Sequence, residues 1–168
     1  FTEVSKLHAG DVVQTTTGND VVECLVATEI RGPSVLYDID GIWYTRTHPI
    51  VHPESGRWTH PYLTGSLINT STDTYVYNLV MKKRKPVIIY GMNHQIITIT
   101  LGHGITGDDV AEHEFYGSEA VVNALKCASG YSQGFVTLVG NDENNDTQYA
   151  NSHYSTHKPY PTHCLETI

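Results

Sequence analysis

A chain of 168 residues has the size of one domain with room for a real core. Its formal net charge of -8 sets it against nucleic acid and anionic membrane surfaces, neither of which attracts an acidic protein. No apolar run approaches the length of a membrane-spanning helix, and no secretory leader is visible. Cys24, Cys127 and Cys164 form neither a paired framework nor a Cys-x-x-Cys clip, so a reducing, intracellular and cytoplasmic setting is the expectation.

Gly10-Asp11 opens a strand over 12–16, and Gly18-Asn19-Asp20 turns the chain into a second over 21–30. Alternation there puts Val22, Cys24, Val26, Thr28 and Ile30 on one face, which makes Cys24 a core residue rather than a reactive thiol. Residues 35–44 read as a hairpin turning at Asp40-Gly41. A loop rich in Pro, Gly and His follows over 52–62, with His52 and His60 as surface residues flanking Trp58, and 66–73 reads as a polar turn. Three strands are expected over 74–81, 86–90 and 95–101. Lys82-Lys83-Arg84-Lys85 reads as the solvated tip of a hairpin between the first two. A helix is expected over 118–127, with Ser118 as N-cap, Val121, Val122 and Leu125 on one stripe, and Gly130 beyond its end. A last strand spans 134–139. From Gly140 the chain has too little apolar content to fold unaided. Many short strands with a single helix imply an all-β domain over 1–139 and a polar tail over 140–168.

Chemistry concentrates in Thr45-Arg46-Thr47-His48-Pro49-Ile50, directly after the hairpin. A hydroxyl and an imidazole three residues apart at a strand end can both address one backbone carbonyl. That pairing suits polarising a peptide bond and protonating its leaving nitrogen. Thr45 as a strand filler and His48 as a turn residue before Pro49 is the other reading of the same stretch.

The wider pattern resembles the Hint superfamily of inteins and the Hedgehog C-terminal region. The opening from Phe1 to Val13, with its Gly10-Asp11-x-Val13 turn, is similar to the start of such domains. Thr45-x-x-His48 is similar to their Thr-x-x-His motif, and Tyr75-Val76-Tyr77-Asn78-Leu79-Val80 to their late Val-Tyr-Asp-Leu strand. Within the superfamily the chain resembles the Vint family, the Hint variant found with von Willebrand A domains. The carriers are His48-Pro49-Ile50, Arg57-Trp58, the late strand, Thr100-Leu101-Gly102-His103-Gly104 and Ala111-Glu112-His113-Glu114-Phe115-Tyr116-Gly117, in the family's order.

The resemblance implies an all-β horseshoe of short strands with pseudo-two-fold symmetry. It implies an autocatalytic, single-turnover domain whose substrate is its own upstream polypeptide, with no cofactor, metal, nucleic acid or membrane partner. A cysteine one residue before Phe1 would attack the preceding peptide bond and form a thioester, resolved by water, a thiol or an amine. His48 would protonate the departing amine and Thr45 would orient the scissile peptide. Asn78, standing where inteins carry aspartate, would hydrogen-bond the thiol or the oxyanion. His103 and His113 would line the cleft, with His103 among the catalytic residues, or serve as structural histidines; Phe1 and Asp11 would position the substrate segment. Thr162-His163-Cys164-Leu165 lacks the asparagine whose cyclisation completes splicing, so N-terminal cleavage or ligation is expected instead of full splicing.

Two other readings remain. One is an interaction module that keeps the fold without the chemistry and docks a partner through the Trp58 loop. The other is a zinc site built from His153, His157, His163 and Cys164, which would need a helical tail despite Pro159 and Pro161.

Overall fold

Two sheets and one substantial helix make up the described part of the chain. The computed structural model describes residues 1–104, 107–108, 110 and 113–140. The polar tail from 141 onward, with the four zinc-candidate residues, lies outside them.

The long strand β2, Gly18–Ile30, organises the larger sheet. Its first half pairs antiparallel with β1, Val12–Thr15, in a tight hairpin that sets Thr15 opposite Gly18. Its second half lies between β8, Thr74–Met81, which pairs antiparallel, and β11, Phe135–Gly140, which pairs parallel. From β1 the sheet continues through β9, Val87–Tyr90, and β10, Gln95–Thr98, to the short strands β5, Ile50–Val51, and β6, Trp58–Thr59. The smaller sheet has the order β4, Ile42–Tyr44, then β3, Ser34–Ile39, then β7, Ser66–Thr70. A short helix α1, Pro61–Thr64, precedes β7.

Most expected elements appear where the sequence places them. Asp40 and Gly41 both take positive φ, 54° and 84°, the conformation that a two-residue Asp-Gly hairpin turn requires. Helix α2, Glu119–Lys126, starts at Ser118, whose hydroxyl accepts the Ala120 N–H. Val121, Val122 and Leu125 are buried against Cys24, Val26, Val80 and Val136. Burying such side chains contributes about 1.5–3 kcal/mol each, which outweighs the marginal stability of a two-turn helix alone.

Three expectations need correction. Val22 and Cys24 do not share a face. The pairing with β8 slips between them, Val22 meeting Met81 and Cys24 meeting Val80, so Glu23 occupies a β-bulge. The bulge reverses the inside–outside phase. Val22 packs with Leu25, Leu79, Met81 and Val87 in one core, while Cys24 and Val26 join the helix core. The region 66–73 is not all turn, because 66–70 forms β7, an edge strand paired with β3. Lys82 to Lys85 is not a hairpin tip either. β8 pairs with β2, and β9 pairs with β1 and β10, so the basic run is a crossover between them. Its backbone is bound by the Val21 carbonyl and the Asp20 carboxylate.

A third core joins the two sheets. Ile39 and Tyr44 from the smaller sheet pack on Ile50 and Ile96 from the larger. The Thr45 to Ile50 stretch follows Tyr44 and ends at Ile50, both members of that core.

Candidate active site

Strand β4 ends at Tyr44, and the chain turns at once. The His48 N–H donates to the Thr45 carbonyl at 3.3 Å, closing Thr45-x-x-His48 into one turn with both side chains half-buried. Pro49 then sets the extended entry into β5, where Ile50 stands opposite Thr98. The segment after β10 holds the turn in place, since the Ile99 N–H donates to the Pro49 carbonyl at 3.1 Å.

The imidazole of His48 is hydrogen-bonded to the Ile99 backbone. That N–H is already committed to Pro49, so the partner is the Ile99 carbonyl, which accepts from a ring N–H and fixes the tautomer. Loss of water around the ring is the dominant influence and pushes its pKa down to about 4; the Ile99 carbonyl opposes that shift, and neighbouring His60 adds to it. His48 is therefore neutral at pH 7. The Tyr44 ring lies 5.7 Å away at a tilt of 30°. Burial pushes the Tyr44 phenol up to about 12, against the influence of the nearby Thr98 hydroxyl.

His60 is not a surface histidine. It stacks on Tyr62 at 5.9 Å, and burial holds its pKa below the usual imidazole range, opposed by the Thr47 backbone. The fold brings His60, Thr47, Tyr44 and Thr98 to His48. His60 and Thr98 were not legible as site residues, because loop packing and strand register place them there, whereas Tyr44 and Thr47 adjoin His48 in the sequence itself.

The other sequence candidates are scattered around this centre. Asn78 sits half-buried on β8 opposite Val26. The Leu101 N–H donates to the Leu79 carbonyl at 2.9 Å, so 99–101 runs from the ring of His48 to the neighbour of Asn78. Among the described residues no hydrogen bond joins Asn78 to His48. Nδ1 of His103 meets the Arg84 carbonyl at 2.8 Å, and burial lowers its pKa, with the Arg84 carbonyl opposing and Lys85 assisting. His103 thereby belongs to the crossover after β8. His113 uses Nδ1 to accept the N–H groups of Phe115 and Tyr116, both at 3.1 Å, which shapes its own turn. Asp11 likewise caps a local turn, accepting the His8 N–H at 2.8 Å. Phe1 is fully exposed, its ring edge-on to Tyr90 at 5.0 Å. Tyr90 is three register steps along β9 from Val87, the residue opposite Thr98. Three strand steps are roughly 10 Å, so Phe1 rests toward the far end of that hairpin from His48.

The tryptophan loop is anchored. The Trp58 N–H donates to the Asp108 carboxylate at 2.8 Å, and Arg57 approaches the same carboxylate at 3.4 Å. Among the described residues no three His, Cys, Asp or Glu side chains are arranged to hold a metal ion.

What remains is a neutral, oriented imidazole beside a hydroxyl, in a turn between two sheets. No curated protein matches the chain. A family model described as a Hint domain, Vint, matches residues 1–151. With a mostly β fold and the Thr45-x-x-His48 turn at the junction of its sheets, the chain belongs to the Vint family of Hint domains, an autoprocessing type of domain.

Proposed function

We propose that the domain activates the peptide bond before a cysteine placed directly ahead of Phe1 and moves the upstream acyl group onto that cysteine's sulfur. The observation that carries this reading is the His48 ring, held by Ile99 through one nitrogen and neutral at working pH, with the other nitrogen left as a base.

His48 takes the thiol proton, and the sulfur bonds to the carbonyl carbon of the upstream residue while the carbonyl electron pair moves onto oxygen. Collapse of this tetrahedral species breaks the C–N bond. The proton on His48 goes to the departing nitrogen, which becomes the free α-amine of the cysteine. The products are a thioester and a neutral His48. Water, a thiol or an amine then takes the acyl group and returns the thiol; water gives cleavage and an amine gives ligation. The Thr45 hydroxyl orients the scissile carbonyl. Asn78 offers an N–H to the oxyanion, which a carboxylate at that position could not do unless protonated. His103 supports the cleft from the crossover, and the segment ahead of Phe1 swings in from the far end of the hairpin formed by β9 and β10 to reach His48. The chemistry calls for no cofactor.

A precursor with an upstream peptide and a cysteine immediately before Phe1 should split at that cysteine, faster with dithiothreitol, when followed by mass. His48→Ala should slow the split by about a hundred-fold or more. A precursor that stays intact across thiol and pH conditions defeats the reading and leaves an interaction module.

A further inference from the structure

The turn between β4 and β5 is gripped from outside by residues 59–62. Thr59 pairs with Ile50 at the entry to β5, and the Tyr62 N–H donates to the Arg46 carbonyl at 3.3 Å. Between these two holds, the ring of His60 is hydrogen-bonded to the Thr47 backbone. That bond favours the protonated ring, so its partner is the Thr47 carbonyl, which accepts from a ring N–H. The side chains repeat the arrangement. The Arg46 guanidinium lies 4.7 Å over the Tyr62 ring, on which the His60 ring stacks at 5.9 Å.

The Thr47 carbonyl and the His48 N–H belong to one planar peptide unit. Its N–H end donates to the Thr45 carbonyl at 3.3 Å, and its carbonyl end is held by His60. A peptide plane fixed at both ends sets the direction in which the His48 side chain leaves the backbone. Other uses of a histidine at position 60 fall short. It is the N-cap of α1, yet its side chain makes no cap bond. Its Nδ1 is buried without a partner, a cost that phenylalanine would avoid while stacking on Tyr62 equally well. Only the bond to Thr47 requires a donor there. A lysine or arginine could donate too, but its charge would oppose the cation that His48 becomes, whereas burial keeps His60 neutral.

We propose that His60 is a positioning residue for the acyl shift, holding the Thr47 carbonyl so that His48 keeps its direction toward the scissile peptide. This rests on the proton-shuttle role given to His48. Besides the two imidazoles, the ionisable groups at the turn among the described residues are Tyr44, which ends β4, and Arg46. The segment after β10 presents the Ile99 backbone.

Two substitutions separate the bond from the ring. His60→Phe keeps the stack and loses the donor, while His60→Gln keeps a donor and loses the stack. In the cysteine-extended precursor His60→Phe should slow cleavage on the order of ten-fold or more, and His60→Gln should recover most of that loss. Tm should run the other way, holding in His60→Phe and falling in His60→Gln. In the chain itself, exchange of the His48 amide hydrogen should quicken in His60→Phe alone. NMR titration should show the His48 midpoint rising in both variants, since each removes the imidazole that opposes its charge. Unchanged exchange in His60→Phe, or cleavage that follows Tm, overturns the proposal and leaves His60 a packing role. A midpoint that falls in His60→Phe alone overturns it too, by assigning the slower cleavage to proton affinity. Quickened exchange in His60→Phe with cleavage that survives His48→Ala upholds the grip and defeats the functional reading instead.

Discussion

The molecule contains two partly buried polar regions built in opposite ways. At the β2 bulge, Glu23 accepts from the Tyr131 hydroxyl at 2.5 Å and from Arg84 at 2.7 Å, and Arg84 also reaches Glu119 at 2.7 Å. A third guanidinium contact goes to the Met81 carbonyl. Around His48 the polar atoms are orphaned. The first region joins β2, the crossover, α2 and the turn before β11, with Arg84 paired to both carboxylates. The second holds Tyr44 and Thr98 with no partner nearer than each other, and His60 with Nδ1 unpaired. A paired polar cluster is a structural device, and a partly unpaired one next to a neutral histidine is where the proposed chemistry would sit.

Arg84→Ala is the sharpest way to probe the paired region. It leaves Glu23 and Glu119 without their cation and the Tyr131 hydroxyl facing an unneutralised carboxylate. Arg84 and Glu23 side chains are only 19 % and 25 % exposed, so the loss should be on the order of 2–3 kcal/mol in urea unfolding. Tyr44→Phe should have the opposite sign in the same measurement. If both variants destabilise alike, the distinction between the regions fails.

Acid should separate the regions by pH. The folded pKa of His48 lies near 4, below the ordinary 6.5, so below pH 6.5 the unfolded chain binds a proton that the fold refuses. This contribution is fully present above pH 6.5 and is lost as pH falls toward 4. After discounting for partial exposure it amounts to about 2 kcal/mol. Burial pushes Glu23 upward, but the bonds from Tyr131 and Arg84 outweigh it and hold the carboxyl below its ordinary 4.5. Glu119 is lowered chiefly by its bond to Arg84. Their stabilisation persists above pH 4.5 and fades only below it. Denaturant midpoints measured from pH 7 to 3 should fall in two stages, and His48→Gln should remove most of the first.

The paired region and the centre differ too in how far the sequence disclosed them. Asp40-Gly41, the Ser118 cap and the strand over 74–81 rest on local chemistry, and each appears in place. The bulge at Glu23 does not, because a two-against-one register exists only once β8 has paired with β2. Polar Ser66 and Asn69 look like turn residues until β3 supplies a partner for an exposed edge. At the centre, Thr45 and His48 were legible because one turn of chain joins them. His60 and Thr98 reach the same ring from a separate loop and from a strand fifty residues away in sequence, so no spacing could announce them. Phe1 and Asp11 illustrate the converse, since a recognisable opening motif does not by itself carry its residues to the imidazole.

The smallest effect belongs to Ser118, at the edge of the paired region beside Glu119. Its hydroxyl accepts the Ala120 N–H at 3.3 Å and donates back to the Glu114 carbonyl at 2.5 Å. Ser118→Ala removes the cap and frees the first turn of α2, which should lower stability by about 1 kcal/mol. Glu119 would then hold Arg84 from a frayed turn, so the loss should shrink when measured on top of Arg84→Ala, because the two changes share one structural unit. The His48 midpoint should not move in either background. A Ser118→Ala variant that shifted it would mean that helix α2 and the imidazole are energetically coupled, and the two polar regions would be a single system.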